Sequence, residues 1–490
     1  MGRELLLGID VGTSACKAAA FFRDGTAAAH SSAEYGVSYP RPGWAEQDPN
    51  DWWDGVKRAL RGLFDMGIDP SEINCIGVAG QSWSAVAVDE TGEPLCETPI
   101  WMDTRASDIC DDIKKTIGED IIFEVCGNPM SPSYTLPKIL WYKKHRPEVY
   151  AKTHKIMQSN GFIVQRLTGR FTQDVSQGYG LQCFDLRRGR FDEALCAEFG
   201  IDFKLLPELF PCGEIIGRVS GEAERACGLK KGTPVVAGGL DAACGTLGAG
   251  VSRETETQLQ GGQAGGMSIC VENYAASKKL ITSFHVIPGR WLVQGGTVGG
   301  GGALKWFREH FACGASFDEL TAEAATAPPG CGGLVFLPYM AGERSPIWDP
   351  DAKGIFYGLD YSKTRAHMIR AVLEGVAFSL RHNMEAAEAA GARAGELNAM
   401  GGASNSPLWM QIKSDVLGRR IQTRASDAAT TLGAALLAGV AAKAYGSFYE
   451  AVAEAVRPGR VFEPNTKNFD AYEKNYRVYR GLYERLKGAF

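Results

Sequence analysis

Two acidic residues in this sequence stand directly beside glycine-marked turns. Asp241 closes the run Val235-Val236-Ala237-Gly238-Gly239-Leu240 near the midpoint of the 490 residues, and Ala242-Ala243-Cys244-Gly245 follow it. An apolar, strand-like stretch opens into paired glycines. Glycine has no Cβ, so such a turn lets backbone pass close to a ligand. The turn delivers one carboxylate, and an acid so placed can act as a general base. Its other reading is an N-cap for the helix that follows. The second acid opens Asp10-Val11-Gly12-Thr13-Ser14. Alone, Asp10 reads as a turn-capping carboxylate. Together the two turns suggest two lobes facing one cleft.

The elements that must hold these turns are legible on both sides. Leu5–Asp10 reads as a central strand, Lys17–Phe22 as a second strand, and Cys75–Gly80 as another buried strand. Ser84–Asp89 is expected to pair next. Between them, residues 48–63 have helical spacing, with Trp52, Val56 and Leu60 on one face and Asp48 or Asn50 as N-cap. The second half repeats the rhythm. Thr257–Gln260 runs into Gly261–Gly266, and Met267–Val271 follows as a strand. Leu292–Thr297 precedes the cluster Gly299–Gly302, which opens a helix. His367–Ala390 reads as a long helix, Leu397–Met400 as a strand ending in Gly401-Gly402, and Trp409–Leu417 as a helix. Ala428–Ala444 reads as a buried helix and 469–490 as an amphipathic one. Strand, helix and strand in each half indicate an α/β layered fold, duplicated, with two domains at 1–245 and 246–490.

Composition narrows the function classes. Apolar residues make up 45% and charged residues 22%, as in ordinary globular proteins. The net charge of −5 and the lack of any Lys/Arg block argue against a nucleic-acid partner. No stretch reads as a membrane span. The 60 glycines fall in discrete clusters, which suggests several tight turns near ligands. The 13 cysteines contain no C-x-x-C pair and no secretory signal precedes them, so buried thiols in a reducing cytoplasm are expected.

Five segments in order resemble the FGGY carbohydrate kinases, within the ribonuclease H-like actin, Hsp70 and sugar kinase superfamily. They are Asp10–Ser14 with Lys17, Trp101-Met102-Asp103-Thr104-Arg105, Gly239–Asp241, Gly342–Pro350 with Gly354–Leu359, and Gly401–Trp409. The resemblance covers nearly the whole chain. It implies two duplicated domains around a central cleft, ATP with Mg²⁺, a small sugar or polyol as acceptor, and a homodimer. Asp241 then becomes the base that takes the hydroxyl proton, and Asp10 holds Mg²⁺ through water. Thr13, Ser14 and Lys17 form the first phosphate loop, its backbone N–H groups acting as an anion nest and the Thr13 hydroxyl as a further donor. On the other lobe the resemblance implies nucleotide contacts at Gly262, Gln263, Gly301, Lys305, Gly402, Ala403 and Ser406. Where the family carries Gly-Thr-Ser-Gly, this chain has Gly262-Gln263-Ala264-Gly265. Lys305 reads equally as a solvated lysine.

The acceptor side is expected at Gln81, Ser82, Trp83, Trp101, Asp103 and Asp241. An indole can stack on a sugar C–H face and donate one N–H, though Trp83 also reads as core filler. Asp103 can accept sugar hydroxyls or simply pair with Arg105. Ala242 stands where relatives often have Asn or Gln. The expected activity is phosphorylation of D-xylulose to D-xylulose 5-phosphate. Ribulose, gluconate, glycerol, erythritol or an autoinducer-like polyol are the alternatives within the family. A non-catalytic actin-like or chaperone-type ATP-binding module, or a degenerate kinase that senses sugar, are the alternatives outside it.

Overall fold

The computed structural model describes residues 4–424 and 428–490. Two sheets carry the architecture. The first contains β1 (Leu5–Val11), β2 (Ala15–Phe21), β3 (Ala27–Glu34), β4 (Ile73–Gly80), β5 (Ile215–Arg218), β6 (Pro234–Val236) and β7 (Gly239–Leu240). Its order is β5-β6-β4-β1-β2-β3, with β7 pairing β4. β1 runs parallel to β4 and antiparallel to β2. All seven residues of β1 are buried, as expected of a strand covered on both faces. Helix α1 (Pro49–Asp65), capped by Asp48, packs Trp52, Val56, Ala59 and Leu60 against the outer face.

The second sheet contains β8 (Thr257–Gly261), β9 (Gly265–Val271), β10 (Ile281–Phe284), β11 (Trp291–Thr297), β12 (Leu397–Met400), β13 (Ile421–Arg424) and β14 (Pro458–Phe462), in the order β10-β11-β9-β8-β12-β13-β14. From β11 to β13 it repeats the pattern from β3 to β6: three antiparallel strands, then two parallel neighbours. This is the duplication expected from the sequence.

Helix α2 (Asp241–Gly248) follows β7 directly. Residue 245 therefore falls inside a helix. Glycine clusters of the second half lead into α3 (Gly301–Phe311) and, past α4 (Arg365–Ala389) with its Thr364 cap, into α5 (Pro407–Leu417). α6 (Ala429–Ala441) returns to the first sheet and packs on β1, β4 and α2. Glycines permit this approach. A Cβ on Gly8 would sit 1.8 Å from the Thr431 carbonyl oxygen, and one on Gly433 would sit 1.8 Å from that of Cys244. α7 (Phe469–Leu486) closes the second core through Tyr472, Tyr476, Tyr479 and Leu482. Among the described residues no helix is long and apolar enough to cross a membrane.

One expected pairing differs. Val86–Val88 does not extend the first sheet; it pairs antiparallel with Lys155–Met157 in a separate ribbon. Both edges of β4 are already occupied, by β1 on one side and by β6 and β7 on the other.

Candidate active site

The turn after β1 is held by a buried polar lattice. The Thr13 hydroxyl donates to Gln81 Oε1 (3.2 Å) and accepts from Trp101 Nε1 (2.9 Å). Gln47 Nε2 donates to the Thr13 carbonyl (2.8 Å), while Gln47 Oε1 accepts from Gln81 Nε2 (2.8 Å). Gln81 is only 1% exposed. Its amide braces the Gly12–Ser14 turn instead of facing an acceptor, which corrects the expectation for that residue. The Thr13 hydroxyl proton is likewise engaged inside the protein, so the turn offers a ligand its backbone. Ser14 is exposed and Trp101 half-buried.

Asp103 also departs from expectation. It is fully buried, and both its oxygens accept from Arg105, through Nε (2.9 Å each) and Nη2 (2.7 Å), with Ala45 N adding a bond at 2.8 Å. Arg105 continues to Glu46 (2.7 Å) and lies over the Trp44 ring. Charge-assisted bonds of this kind saturate a carboxylate, so Asp103 anchors the Trp101 loop and has no oxygen left for a sugar.

The two turn acids are near enough for the charge of Asp10 to act on Asp241. Burial raises Asp10 from 3.8 to about 6, with Lys17, its cross-strand partner, acting in the opposite sense. Asp241 is raised further, from 3.8 to about 7, first by burial and then by the nearby negative charge of Asp10. A negative charge nearby in a poorly solvated space pushes a carboxylate toward protonation. Asp241 occupies the first turn of α2, after Leu240 as N-cap, and its Oδ1 accepts from Ala242 N (2.6 Å). Asp10 Oδ1 is buried and makes no hydrogen bond. Asp10 and Lys17 are among the residues lining a cleft of about 710 Å³, as are Arg424, Thr430 and Thr431.

On the second half three glycine loops come together. Gly301 N donates to Gly262 O (2.9 Å) and Gly302 N to Gln263 O (2.8 Å), seating the 262–265 loop on the start of α3. A Cβ on Gly261 would lie 2.6 Å from the Ala403 Cβ, so the 401–406 turn packs on the same loop. Gln263 folds over Gly302, where a Cβ would come 2.4 Å from its amide nitrogen. Gly402 is open, with nothing within 4 Å of a Cβ built there. The Ser406 hydroxyl caps α5 by accepting from Trp409 N (3.3 Å). Lys305 lies on the outer face of α3 near Glu309 (3.8 Å), a solvated lysine.

A smaller gap, about 170 Å³, lies between the halves. Ser82, Trp83, Tyr179 and Ala242 line it from the first; Gln260, Ala264–Ser268, Gln294–Gly296, Arg344 and Ser345 are among those lining it from the second. Trp83 has φ 61°, in the left-handed region that L side chains rarely adopt. Its ring meets Tyr134 edge-on at 4.6 Å and Tyr179 at 6.0 Å. Its Nε1–H, with the Tyr179 hydroxyl as a polar neighbour, makes no hydrogen bond of normal geometry. Strain and an idle donor at one residue are typical of a ligand site. Lys138, fully buried, ties the loop down by donating to the carbonyls of Trp83 (2.9 Å), Ile100 (2.7 Å) and Ser133 (2.6 Å). Burial lowers it from 10.5 to about 7. Lys138, Tyr134 and Tyr179 carry no local pattern that sequence reading could have caught. Arg344 belongs to the Gly342–Pro350 segment, whose resemblance to the family says nothing of where its side chain lies.

Two ribonuclease H-like sheets with an acid-bearing gap between them define the actin, Hsp70 and sugar-kinase class. The N-terminal domain model of the FGGY family of carbohydrate kinases matches residues 5–248, and the C-terminal domain model matches 271–442. A xylulose kinase of Staphylococcus epidermidis is 30% identical over 99% of this chain and 98% of its own length. The solved xylulose kinase of Rhodospirillum rubrum is 30% identical with a TM-score of 0.92, covering 99% of each chain. The gluconate kinase structure from Lactobacillus acidophilus is 27% identical with a TM-score of 0.92, covering 99% of this chain and 98% of that one. The chain belongs to the FGGY family of carbohydrate kinases. It is an enzyme that moves a phosphoryl group from ATP to a hydroxyl of a small sugar or polyol.

Proposed function

We propose that the acceptor is D-xylulose and the product D-xylulose 5-phosphate. The observation that carries the mechanism is the raised carboxylate of Asp241 beside Asp10, next to a sugar-sized gap between the lobes. In this reading Asp241 accepts the proton of the acceptor hydroxyl as its oxygen bonds to the γ-phosphorus. The bond from phosphorus to the bridging oxygen breaks, and ADP leaves. A base with an affinity near neutrality suits this step. Trp83 walls the acceptor, with Ser82, Ser345, Gln260 and Gln294 as polar neighbours. The turn at Gly12–Ser14 and Lys17 face the phosphates, while the loops at Gly262, Gln263, Gly301, Gly402 and Ala403 cradle the nucleotide through backbone.

Mg²⁺ fits the acid pair. Among the described residues no group of three or more His, Cys, Asp or Glu could hold a metal alone. Magnesium, however, keeps its waters and binds through one or two carboxylates plus substrate phosphates, and the bare Oδ1 of Asp10 is such a partner. When bound, the ion neutralises phosphate charge. The division of labour near residue 245, acceptor and base before it and nucleotide after it, belongs to the same reading. So do a homodimer and a cytoplasmic location; eleven of the thirteen cysteines are buried and all are free, which suits a reducing compartment.

The gluconate kinase likeness, with Trp83 and Ala242 at the acceptor gap, supports a second acceptor class, the sugar acids. ADP release measured across D-xylulose, D-ribulose, gluconate, glycerol and erythritol separates the readings. Xylulose should give the highest kcat/KM; a tenfold preference for another acceptor would displace it.

A further inference from the structure

Arg344 carries a guanidinium that no side chain among the described residues pairs with, although the Glu343 carboxylate acts on it through space. Its segment, Gly342–Pro350, delivers Arg344 and Ser345 to the gap, where Ala264, Gly265 and Ala242 are also found. The backbone N–H of Arg344 donates to Glu343 Oε1 (2.8 Å). Its guanidinium makes no hydrogen bond or ion pair among the described residues. Glu343 makes no ion pair with it; its oxygens accept from Thr297 Oγ1 (2.6 Å), Val298 N (3.1 Å) and the Arg344 backbone. The other well-enclosed arginines differ. Arg105 pairs with Asp103 and Glu46. Arg370 holds Glu374, the Ala327 carbonyl and Tyr472. Arg424 holds Asn398 and the Ala249 carbonyl. Arg344 is half-buried at the wall of the gap, and a guanidinium there with no protein acceptor has its donors free for a ligand.

The position says which ligand. Five lining residues, Ala264–Ser268, belong to or follow the glycine loop expected to meet phosphate, and Ala242 directly follows the base. Nη2 lies 3.3 Å from where a Cβ on Gly296 would sit, and Gly296 pairs with Gly266 of that loop's strand. A neutral hydroxyl has no need of a permanent charge, whereas a planar guanidinium matches phosphate oxygens. We infer that Arg344 binds the phosphoryl group as it passes from ATP to the acceptor, an arginine supplied in cis by the second lobe. It forms no covalent bond; its N–H groups donate to the equatorial oxygens of the group in transit. The inference rests on the phosphoryl-transfer reading above but not on its choice of acceptor.

The test compares full-length wild type with Arg344→Met and Arg344→Lys. Transfer to the best acceptor, acceptor-free hydrolysis of ATP, and melting shifts with Mg·ADP, with and without aluminium fluoride, are measured. Arginines in this role contribute about 10³ or more to kcat. Arg344→Met should lose about 10³ in kcat for both transfer and hydrolysis, and Arg344→Lys should recover part. The Mg·ADP shift should persist in both variants, while the added shift from aluminium fluoride disappears in Arg344→Met. Unchanged hydrolysis would overturn the inference, as would a tenfold rise in acceptor KM at constant kcat, which would make Arg344 an acceptor contact. Wild-type protein that neither hydrolyses ATP nor phosphorylates any acceptor would refute the transfer reading itself and take this inference with it.

Discussion

Replacing Asp241 by Asn should stabilise the protein while abolishing transfer. The native carboxyl is raised from 3.8 to about 7 by burial and by Asp10. A folded-state affinity above the unfolded one gives stability that is full below pH 3.8 and is lost as pH rises through 7. At roughly 1.4 kcal/mol for each tenfold in proton affinity, the loss above pH 7 is about 4 kcal/mol. The carboxyl keeps some solvent contact, so about 2–4 kcal/mol is the working figure. Asn keeps the bond from Ala242 N and carries no charge, so the variant escapes that loss. At pH 5 the wild-type carboxyl stays mostly protonated when folded, and the gap should shrink to roughly 1–2 kcal/mol. Thermal melts at pH 5 and pH 8, in chelator and without nucleotide, read the difference directly. An Asn variant that melts no higher than wild type at pH 8, or by the same margin at both pH values, would refute the electrostatic reasoning.

Four further outcomes follow from the same structure. Because the base must be deprotonated, kcat/KM for the acceptor should fall about tenfold per pH unit below pH 7 and level off above it; a flat profile from pH 5 to 8 would contradict the role of Asp241. Trp83→Ala should raise the acceptor KM by about ten- to a hundredfold and leave the Mg·ADP melting shift intact, since the proposed role of the ring is to wall the acceptor; an unchanged KM would return Trp83 to core filler. Gly433→Ala should lower the melting temperature by the equivalent of about 3 kcal/mol, because the new Cβ falls 1.8 Å from the Cys244 carbonyl oxygen. Gly36→Ala, where a Cβ meets nothing within 4 Å, should melt as wild type does.

What the sequence disclosed was local. The turns at Asp10 and Asp241, the strands that feed them and helix α1 with its Asp48 cap all follow from spacing and glycine placement within a dozen residues. The buried polar lattice did not. Gln81 reads as an acceptor contact until Gln47 and Thr13, 34 and 68 residues away, are brought to its two amide ends. Asp103 and Arg105 were legible as a pair, yet nothing local revealed that Arg105 takes both oxygens. Residues 84–206 resisted most. The Val86–Val88 strand finds its partner at Lys155–Met157, and Lys138 serves carbonyls at Trp83, Ile100 and Ser133. Arg344 shows the opposite limit: that its guanidinium lines the gap without a hydrogen-bond partner among the described residues is visible only in three dimensions.

The most direct test is acceptor-dependent ADP formation by wild type and Asp241→Ala, with Mg·ATP binding followed in parallel by melting shift. Asp241 touching the reacting hydroxyl predicts that D-xylulose drives ADP release in wild type, that Asp241→Ala releases none above its acceptor-free rate, and that both proteins bind Mg·ATP alike. Substantial sugar phosphate from Asp241→Ala would contradict it.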